Sequence, residues 1–340
     1  MSKVKIGIIC PSEIAFRRFM PAIQKCECAE YIGVAHANAR EWFGDNIPND
    51  ALINSEKEKA EGFKKEYGGK VFDSYKSLLT SDEVDAIYLP LPPALHYKWA
   101  SKALNHGKHI FLEKPSTTSY SDTADLINLA NENSLAVHEN YMFAFHKQIN
   151  EIKDIISSGK LGDVRLYRIA FGFPQRAKND FRYSKALGGG ALLDCGGYTI
   201  KLATMLLGDT AKIAYSKLNY TRDFDVDIYG SAAMVNDYGV TAQLSFGMDN
   251  SYKCELEVWG SKGFLRTGRI LTAPDGFVPT AEITIGNERE VITLSPDDTF
   301  GKSIEHLCKC VNDEKTREKN YKTILKQAQL VDEVKKYGSN

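Results

Sequence analysis

Apolar residues in the first 140 positions fall in short runs separated by longer amphipathic stretches. Strands alternating with helices in this way build a parallel sheet. KVKIGIIC (3–10) reads as a first strand and AEYIGVAHA (29–37) as a second. VDAIYLPL (84–91) is a near-continuous apolar run, as burial on both faces requires. HIFLEKP (109–115) is a strand halted by Pro115, and LAVHENYM (135–142) closes the series. Helical patterns lie between them, at about Glu13–Lys25, at 55–69 up to a glycine pair, at 95–107 and at 119–134, the last capped by Ser119 or Ser121. Residues 41–54 fit neither period and read as an irregular insertion.

After residue 140 the pattern changes. A helix near Phe145–Ser158 precedes the strand VRLYRIAFGF (164–173). A polar stretch then leads to GGGALLDCGGYTIKLATMLLG (188–208), most of it helical. From about Ala211 to Leu294 short segments alternate with period two: 229–236, 239–247, 252–260, 264–270, 281–286 and 289–294. Such alternation gives a sheet with one buried and one exposed face. Two helices, near Thr299–Val311 and Tyr321–Tyr337, end the chain.

Composition narrows the class. The chain is 340 residues long, 43% hydrophobic and 26% charged, with net charge −1. Bulk attraction to nucleic acid or to an anionic membrane is not expected. No apolar run approaches the ~20 residues of a membrane span, and MSKVKIGIIC reads as a first strand rather than a signal peptide. The cysteines are dispersed. Cys26/Cys28 and Cys308/Cys310 are spaced more tightly than usual zinc ligands and lack a histidine cluster, so the expectation is free thiols in a reducing cytoplasm and no metal.

The segment IGIICPSEIAFRRFMPAI (6–23) has the outline of a dinucleotide-binding turn. Where G-x-G-x-x-G places glycines, this chain has Cys10, Ser12 and Ala15. Those glycines permit a tight turn, close approach to a pyrophosphate and close packing of helix on strand. Ser12 and Ala15 are small, Pro11 stiffens the loop, and a helix N-terminus offers N–H groups to phosphate without glycines. At the tip of the second strand, where NAD sites place a carboxylate, the sequence is Val34-Ala35-His36-Ala37-Asn38-Ala39-Arg40. Arg40 could meet a 2′-phosphate, with Arg17 and Arg18 as further candidates. NADP(H) is therefore the preferred cofactor, with NAD(H) the alternative.

IYLPLPPALHYKWASKALNHGKHIFLEKPSTTS (87–119) resembles the glucose–fructose oxidoreductase/inositol dehydrogenase (Gfo/Idh/MocA) family in its proline-containing loop, L-H, helix, G-K-H and E-K-P. Residues 188–208 carry Asp194, Gly196 and Tyr198, a D-x-G-x-Y version of that family's second signature. SEIAFRRFMPAI, ENYMFAFHKQ (139–148) and FGFP…DFRY (171–183) are most similar to sugar 3-ketoreductases of deoxysugar pathways. The resemblance implies an α/β plus α+β architecture: a Rossmann domain over 1–140, then an open, mainly antiparallel sheet domain over 141–340 for substrate binding and oligomerisation. The last helix is free to pack back on the first domain. A homodimer or homotetramer is expected, its sheet domains paired face to face.

The resemblance also implies that Lys114 and Tyr198 are catalytic and meet across the nicotinamide. Hydride transfer to a ketone makes an alkoxide, which needs a proton and charge stabilisation. In that geometry Tyr198 donates the proton and Lys114 orients the carbonyl, or the roles are reversed. Asp194, four residues before Tyr198, shares its helical face, to bind a sugar hydroxyl or fix Tyr198. Arg182 reaches an anionic substrate group such as a nucleotide diphosphate, or is simply exposed; Tyr141 completes the expected substrate contacts. Expected cofactor contacts are Pro11, Ser12, Glu13, Ile14, His36, Ala37, Arg40, Leu89, Pro90, Leu91, Pro92, His96, Glu113, Lys114 and Asn140, with His96 and His146 also read as packing or supporting residues. The activity implied is reduction of a nucleotide-linked 3-keto sugar. The alternatives are a free-sugar, polyol or trans-dihydrodiol dehydrogenase and, in another class, a dinucleotide-binding sensor without turnover.

Overall fold

The computed structural model describes residues 2–41 and 50–338. The chain divides into two compact units, Met1–Asn140 with Phe300–Leu325 and Tyr141–Thr299 with Lys326–Asn340.

The first unit is built on Val4–Ile8 (β1), Ala29–Ala35 (β2), Lys70–Phe72 (β3), Ala86–Leu89 (β4), His109–Glu113 (β5) and Val137–Asn140 (β6). All pair in parallel, in the order β3-β2-β1-β4-β5-β6. This is a doubly wound sheet whose order reverses between β1 and β4, and ligands bind such sheets beyond the carboxyl ends of the strands at that point. The central strands are buried on both sides. Ile87, Leu89, Ile110 and Leu112 pack with Trp99, Leu104 and Leu126 of the covering helices. On the opposite side Phe19 stacks on Tyr88, centroids 4.2 Å apart, with Phe111 beside it. β3 is an edge strand of three residues, too short for a period to show. It lies so close to β2 that a Cβ on Gly33 would sit 2.4 Å from Lys70 O.

The expected insertion at 41–54 is shortened by the structure. Residues 42–49 lie outside the described residues, but a helix spans Asp50–Tyr67, so 50–54 form its first turns. Asp50 suits the positive end of a helix, and Ala51 and Leu52 are good helix formers. The helix is anchored by Phe63, which meets Phe16 edge-on at 5.0 Å.

The second unit contains Val164–Gly172 (β7), Lys212–Tyr220 (β8), Asp227–Val235 (β9), Thr241–Gly247 (β10), Lys253–Gly260 (β11), Gly263–Gly268 (β12), Thr280–Ile285 (β13) and Glu288–Thr293 (β14). Their order is β14-β13-β12-β11-β7-β10-β9-β8. Only the β7–β10 pair among them is parallel. One face, including Ile169, Phe171, Leu244, Phe246, Leu256 and Val258, is buried with the helix Gly197–Leu207. The other face carries charges in register: Arg168 bonds Gln243 (3.3 Å) and Glu257 (3.1 Å), and Arg266 bonds Glu257 (2.6 Å). The last helix starts at Glu314 rather than Tyr321. Among the described residues no helix is long and apolar enough to cross a membrane.

Candidate active site

In the first unit, the turn after β1 is held by its own residues. Ser12 N donates to Cys10 O (2.8 Å), and Ser12 Oγ accepts from Ala15 N (3.2 Å). The serine at the second glycine position is thus the helix cap. Ala15 is fully buried, filling the close-packing role of the third glycine. The helix continues through a π-turn at Ala15–Phe19. Glu13 and Ile14 are exposed on its first turn, Ser12 is half-buried and Pro11 buried. Cys10, half-buried, stands at the first glycine position, and burial pushes its thiol up to about 12.

At the tip of β2, His36 and Ala37 are buried and Arg40 is exposed. Asn38 Oδ1 accepts from Arg40 N (2.9 Å) and Glu41 N (3.1 Å), folding a tight turn. Two carboxylates approach this tip: Asp73, exposed, lies 3.8 Å from His36 Nε2, and Glu41 is already engaged. Glu41 accepts from Tyr75 N and Lys76 N, both at 2.9 Å, and so adds to the Ser74 cap at the start of the helix Tyr75–Leu79. Arg17 is ion-paired to Glu13 at 3.0 Å, and Arg18 lies 5.7 Å over the Phe300 ring. Of the three arginines proposed for a 2′-phosphate, Arg40 is the one at the tip of β2, and it is exposed there.

Beyond β4, Leu89, Pro90 and Leu91 are buried and Pro92 is half-buried. His96 is fully enclosed and spans two carbonyls: Nε2 lies 2.8 Å from Leu91 O and Nδ1 2.8 Å from Pro115 O. Burial lowers its pKa below the usual histidine value, against the pull of these carbonyls. His96 thus ties the loop after β4 to the turn after β5, and presents no surface of its own to a cofactor. The Lys114–Pro115 peptide is cis. Ser116 N donates to Glu139 Oε1 (2.8 Å), anchoring the far side of the same turn. Lys114 is half-buried at its apex. Glu113 Oε1 accepts from Tyr88 Oη (2.7 Å) and Asn140 Nδ2 (2.8 Å). Burial raises the Glu113 carboxyl above the usual range, and these donors and Lys114 work the other way. Glu113 and Asn140 are both buried and bound to each other.

In the second unit, Tyr198 opens the helix Gly197–Leu207 directly after a π-turn at Leu192–Gly196. Its ring is caged by Tyr141 (5.2 Å, edge-on), Phe143 (5.7 Å) and Phe171 (5.3 Å), and it is 7% exposed. Its hydroxyl lies 3.8 Å from Met142 Sδ. Tyr141 sits beneath this cage at 1% exposure, its hydroxyl receiving Gln327 Nε2 at 3.3 Å. Its place is that of a support for Tyr198. A Cβ on Gly197 would lie 2.3 Å from Tyr141 Oη, so this position admits only glycine without a shift.

Arg182 is neither exposed nor free to meet an anion. Its Nε donates to Asp194 Oδ2 (2.8 Å) and its Nη1 to Asp180 (3.1 Å). Burial works against its charge, but Asp194 and Asp180 outweigh it and raise its pKa. Two carboxylates around one guanidinium leave the cluster with net charge −1. The glycine run explains how these residues meet. Gly190 N donates to Arg182 O (2.9 Å), and a Cβ on Gly189 would lie 2.3 Å from that oxygen. The helix start is capped by Asp227, whose Oδ2 accepts from Leu192 N at 2.7 Å. His146 is likewise a cap, Nδ1 accepting from Gln148 N at 3.1 Å. Glu41, Glu139, Asp227, Ser303 and Gln327 escape the sequence reading, because each acts on a residue remote in the chain.

Together the two units define a dinucleotide-fold oxidoreductase with a separate sheet unit carrying a caged tyrosine. Residues 28–141 match the model of the oxidoreductase family with an NAD-binding Rossmann fold, and residues 149–266 match the GFO/IDH/MocA C-terminal domain. The chain belongs to the Gfo/Idh/MocA oxidoreductase family. It is 35% identical over 333 residues to the dTDP-3,4-didehydro-2,6-dideoxy-alpha-D-glucose 3-reductase of Actinomadura kijaniata, covering 98% of this chain and 95% of that one. It is 33% identical to the Streptomyces violaceoruber reductase of the same name, over 98% and 94% of the two chains. The solved structure of a 3-ketoreductase from A. kijaniata, in complex with NADP and TDP-benzene, superposes with a TM-score of 0.90. That pair is 33% identical over 99% of this chain and 98% of that one.

Proposed function

We propose that this protein is an NADP(H)-dependent reductase of a nucleotide-linked 3-keto sugar. The observation that carries the reading is chain-long identity of 35% to a dTDP-sugar 3-reductase. The engaged Glu41 and exposed Arg40 at the tip of β2 support NADP(H) over NAD(H). Bound NADPH supplies the hydride. The helix start at Ser12 would hold the pyrophosphate, and Arg40 would meet the 2′-phosphate. Lys114 orients the carbonyl oxygen and stabilises the charge developing there. Tyr198 gives its phenolic proton to that oxygen, and its aromatic cage keeps water from competing. Asp194 meets the substrate's hydroxyls while Arg182 fixes its carboxylate.

Titration of purified protein with NADPH and NADH, followed by turnover assays with a dTDP-linked 3-keto sugar, tests this reading. Tight NADPH binding with turnover is expected. Binding of neither dinucleotide would overturn it. Oxidation of free sugars or dihydrodiols, without reduction of the nucleotide sugar, would replace it with a dehydrogenase. That outcome has a precedent in the 26% identical D-xylose 1-dehydrogenase (NADP(+)) 2 of Haloferax volcanii. We assign the outer face of the β7–β14 sheet, with exposed Tyr215, Tyr229 and Trp259, to pairing with a second copy as a homodimer or homotetramer. Seven free thiols suit a reducing cytoplasm as its site of action.

A further inference from the structure

Three buried side chains connect the root of Lys114 to the helix Thr299–Asn312. Asn140 Nδ2 donates to Glu113 Oε1 at 2.8 Å. Ser303 Oγ donates to Asn140 Oδ1 at 2.8 Å. His138 Nε2 lies 2.8 Å from the same Ser303 oxygen. Counting hydrogens ties the direction to the charge state of Glu113. The serine has one hydroxyl proton and gives it to Asn140, so the His138 contact requires an Nε2–H donor. Reversing the Asn140 amide would turn its oxygen onto the Glu113 carboxylate. With Glu113 ionised, every hydrogen in the chain points the same way, from His138 through Ser303 and Asn140 to Glu113; protonating Glu113 would reverse the chain. Tyr88 adds its hydroxyl to the same oxygen at 2.7 Å. Ser303 and Asn140 are fully buried, so no water substitutes for a missing link. The far end is braced by rings: His138 packs against Phe111 at 5.2 Å and His306 at 5.1 Å.

Hydrogen bonds aligned head to tail polarise one another, and a buried carboxylate gains most from donors aimed at it. Burial alone drives Glu113 toward the neutral acid. We propose that the His138–Ser303–Asn140 relay keeps Glu113 a carboxylate at the base of Lys114, making Ser303 a positioning residue for the lysine. This rests on the reading of Lys114 as catalytic. The carboxylate is fixed one residue from Lys114, and the Lys114 backbone N–H is itself a donor to Glu113. The groups facing Glu113 are Tyr88 from β4, Lys114 from its own strand end and Asn140 from β6; His138 and His306 stand at the relay's far end.

The test follows the C=O stretch of protonated Glu113 by infrared titration of the full chain, with the band assigned by its loss in Glu113→Gln. Ser303→Ala should move its midpoint up by about one pH unit. Ser303→Cys, nearly isosteric but a weak donor, should shift it in the same direction, and it covers the case in which the alanine variant does not fold. Both should lower kcat severalfold with NADPH affinity unchanged. An unmoved band in the folded variants, or a moved band with wild-type kcat, would overturn the relay. The infrared reading needs neither cofactor nor substrate. If the wild type fails to reduce keto sugars, the proposed function falls while the band still decides the relay. If Lys114→Met abolishes turnover and the band is unmoved, only the relay falls.

Discussion

Arg182 Nε sits 2.8 Å from Asp194 Oδ2, so two residues read as separate substrate contacts form one ion pair. Asp180 holds the other edge of the guanidinium. All three side chains are largely buried, at 21%, 12% and 19% exposure. Arg182→Met strands two carboxylates in this site, which should cost about 2 kcal/mol, less than a fully enclosed pair. Urea denaturation checks it. Adding Asp194→Asn should recover part of the loss, and equal, additive costs would show that the two residues do not act together.

Lys114→Met and Tyr198→Phe should each lower kcat by about a hundredfold or more. NADPH affinity should stay within about threefold of wild type, because neither change touches the helix cap at Ser12 or the tip of β2. Stopped-flow turnover and fluorescence titration separate the two effects. Near-normal rates in both variants would remove these residues from the chemistry.

Arg40→Ser should weaken NADPH by about tenfold and leave NADH nearly unchanged, since only NADPH carries a 2′-phosphate. Glu41→Gln should behave differently. It weakens the cap on Tyr75–Leu79 and should cost about 1 kcal/mol of stability without reversing coenzyme preference. Parallel titrations and melts of the two variants distinguish binding from folding.

Burial raises Asp227 from 3.8 to about 6 in the folded protein, although Leu192 N–H favours its anion. A carboxyl whose folded pKa lies above its unfolded value stabilises the fold fully below the unfolded value. That contribution is lost as pH rises through the folded value. Between about pH 4 and pH 6 this group should therefore make the protein progressively less stable, by about 3 kcal/mol at most. Asp227→Asn keeps an oxygen for Leu192 N and removes the titration. Melting curves from pH 4 to 8 should be flatter in the variant over that window.

The fold was legible where periodicity was long. Five strands of the parallel sheet and the alternating strands of the second unit follow from runs of apolar residues, because a strand buried on both faces or on one must show that pattern. Lys70–Phe72 was not, since three edge residues carry no period, and Lys212–Tyr220 was not among the segments read as strands. Asp50–Asn54 was misread because a helix start inside a polar segment looks like a loop. At the candidate site, residue types marked the right segments but not their partners. Tyr141 looked like a substrate contact and lies under Tyr198; His96 looked like a cofactor contact and clamps two carbonyls. Ser303 and Asn140 are 163 positions apart, and no local pattern announces such a bond.

The engagement of Glu41 separates two properties that share a short stretch of chain. An acidic residue near the end of β2 looks available for recruitment to a ribose, yet withdrawing it would leave two N–H groups at a helix start without their acceptor. Redesign toward NAD(H) would do better to add a new carboxylate at Asn38, which is half-buried, and leave Glu41 alone. Coenzyme demand in this protein can then be retuned without spending its stability.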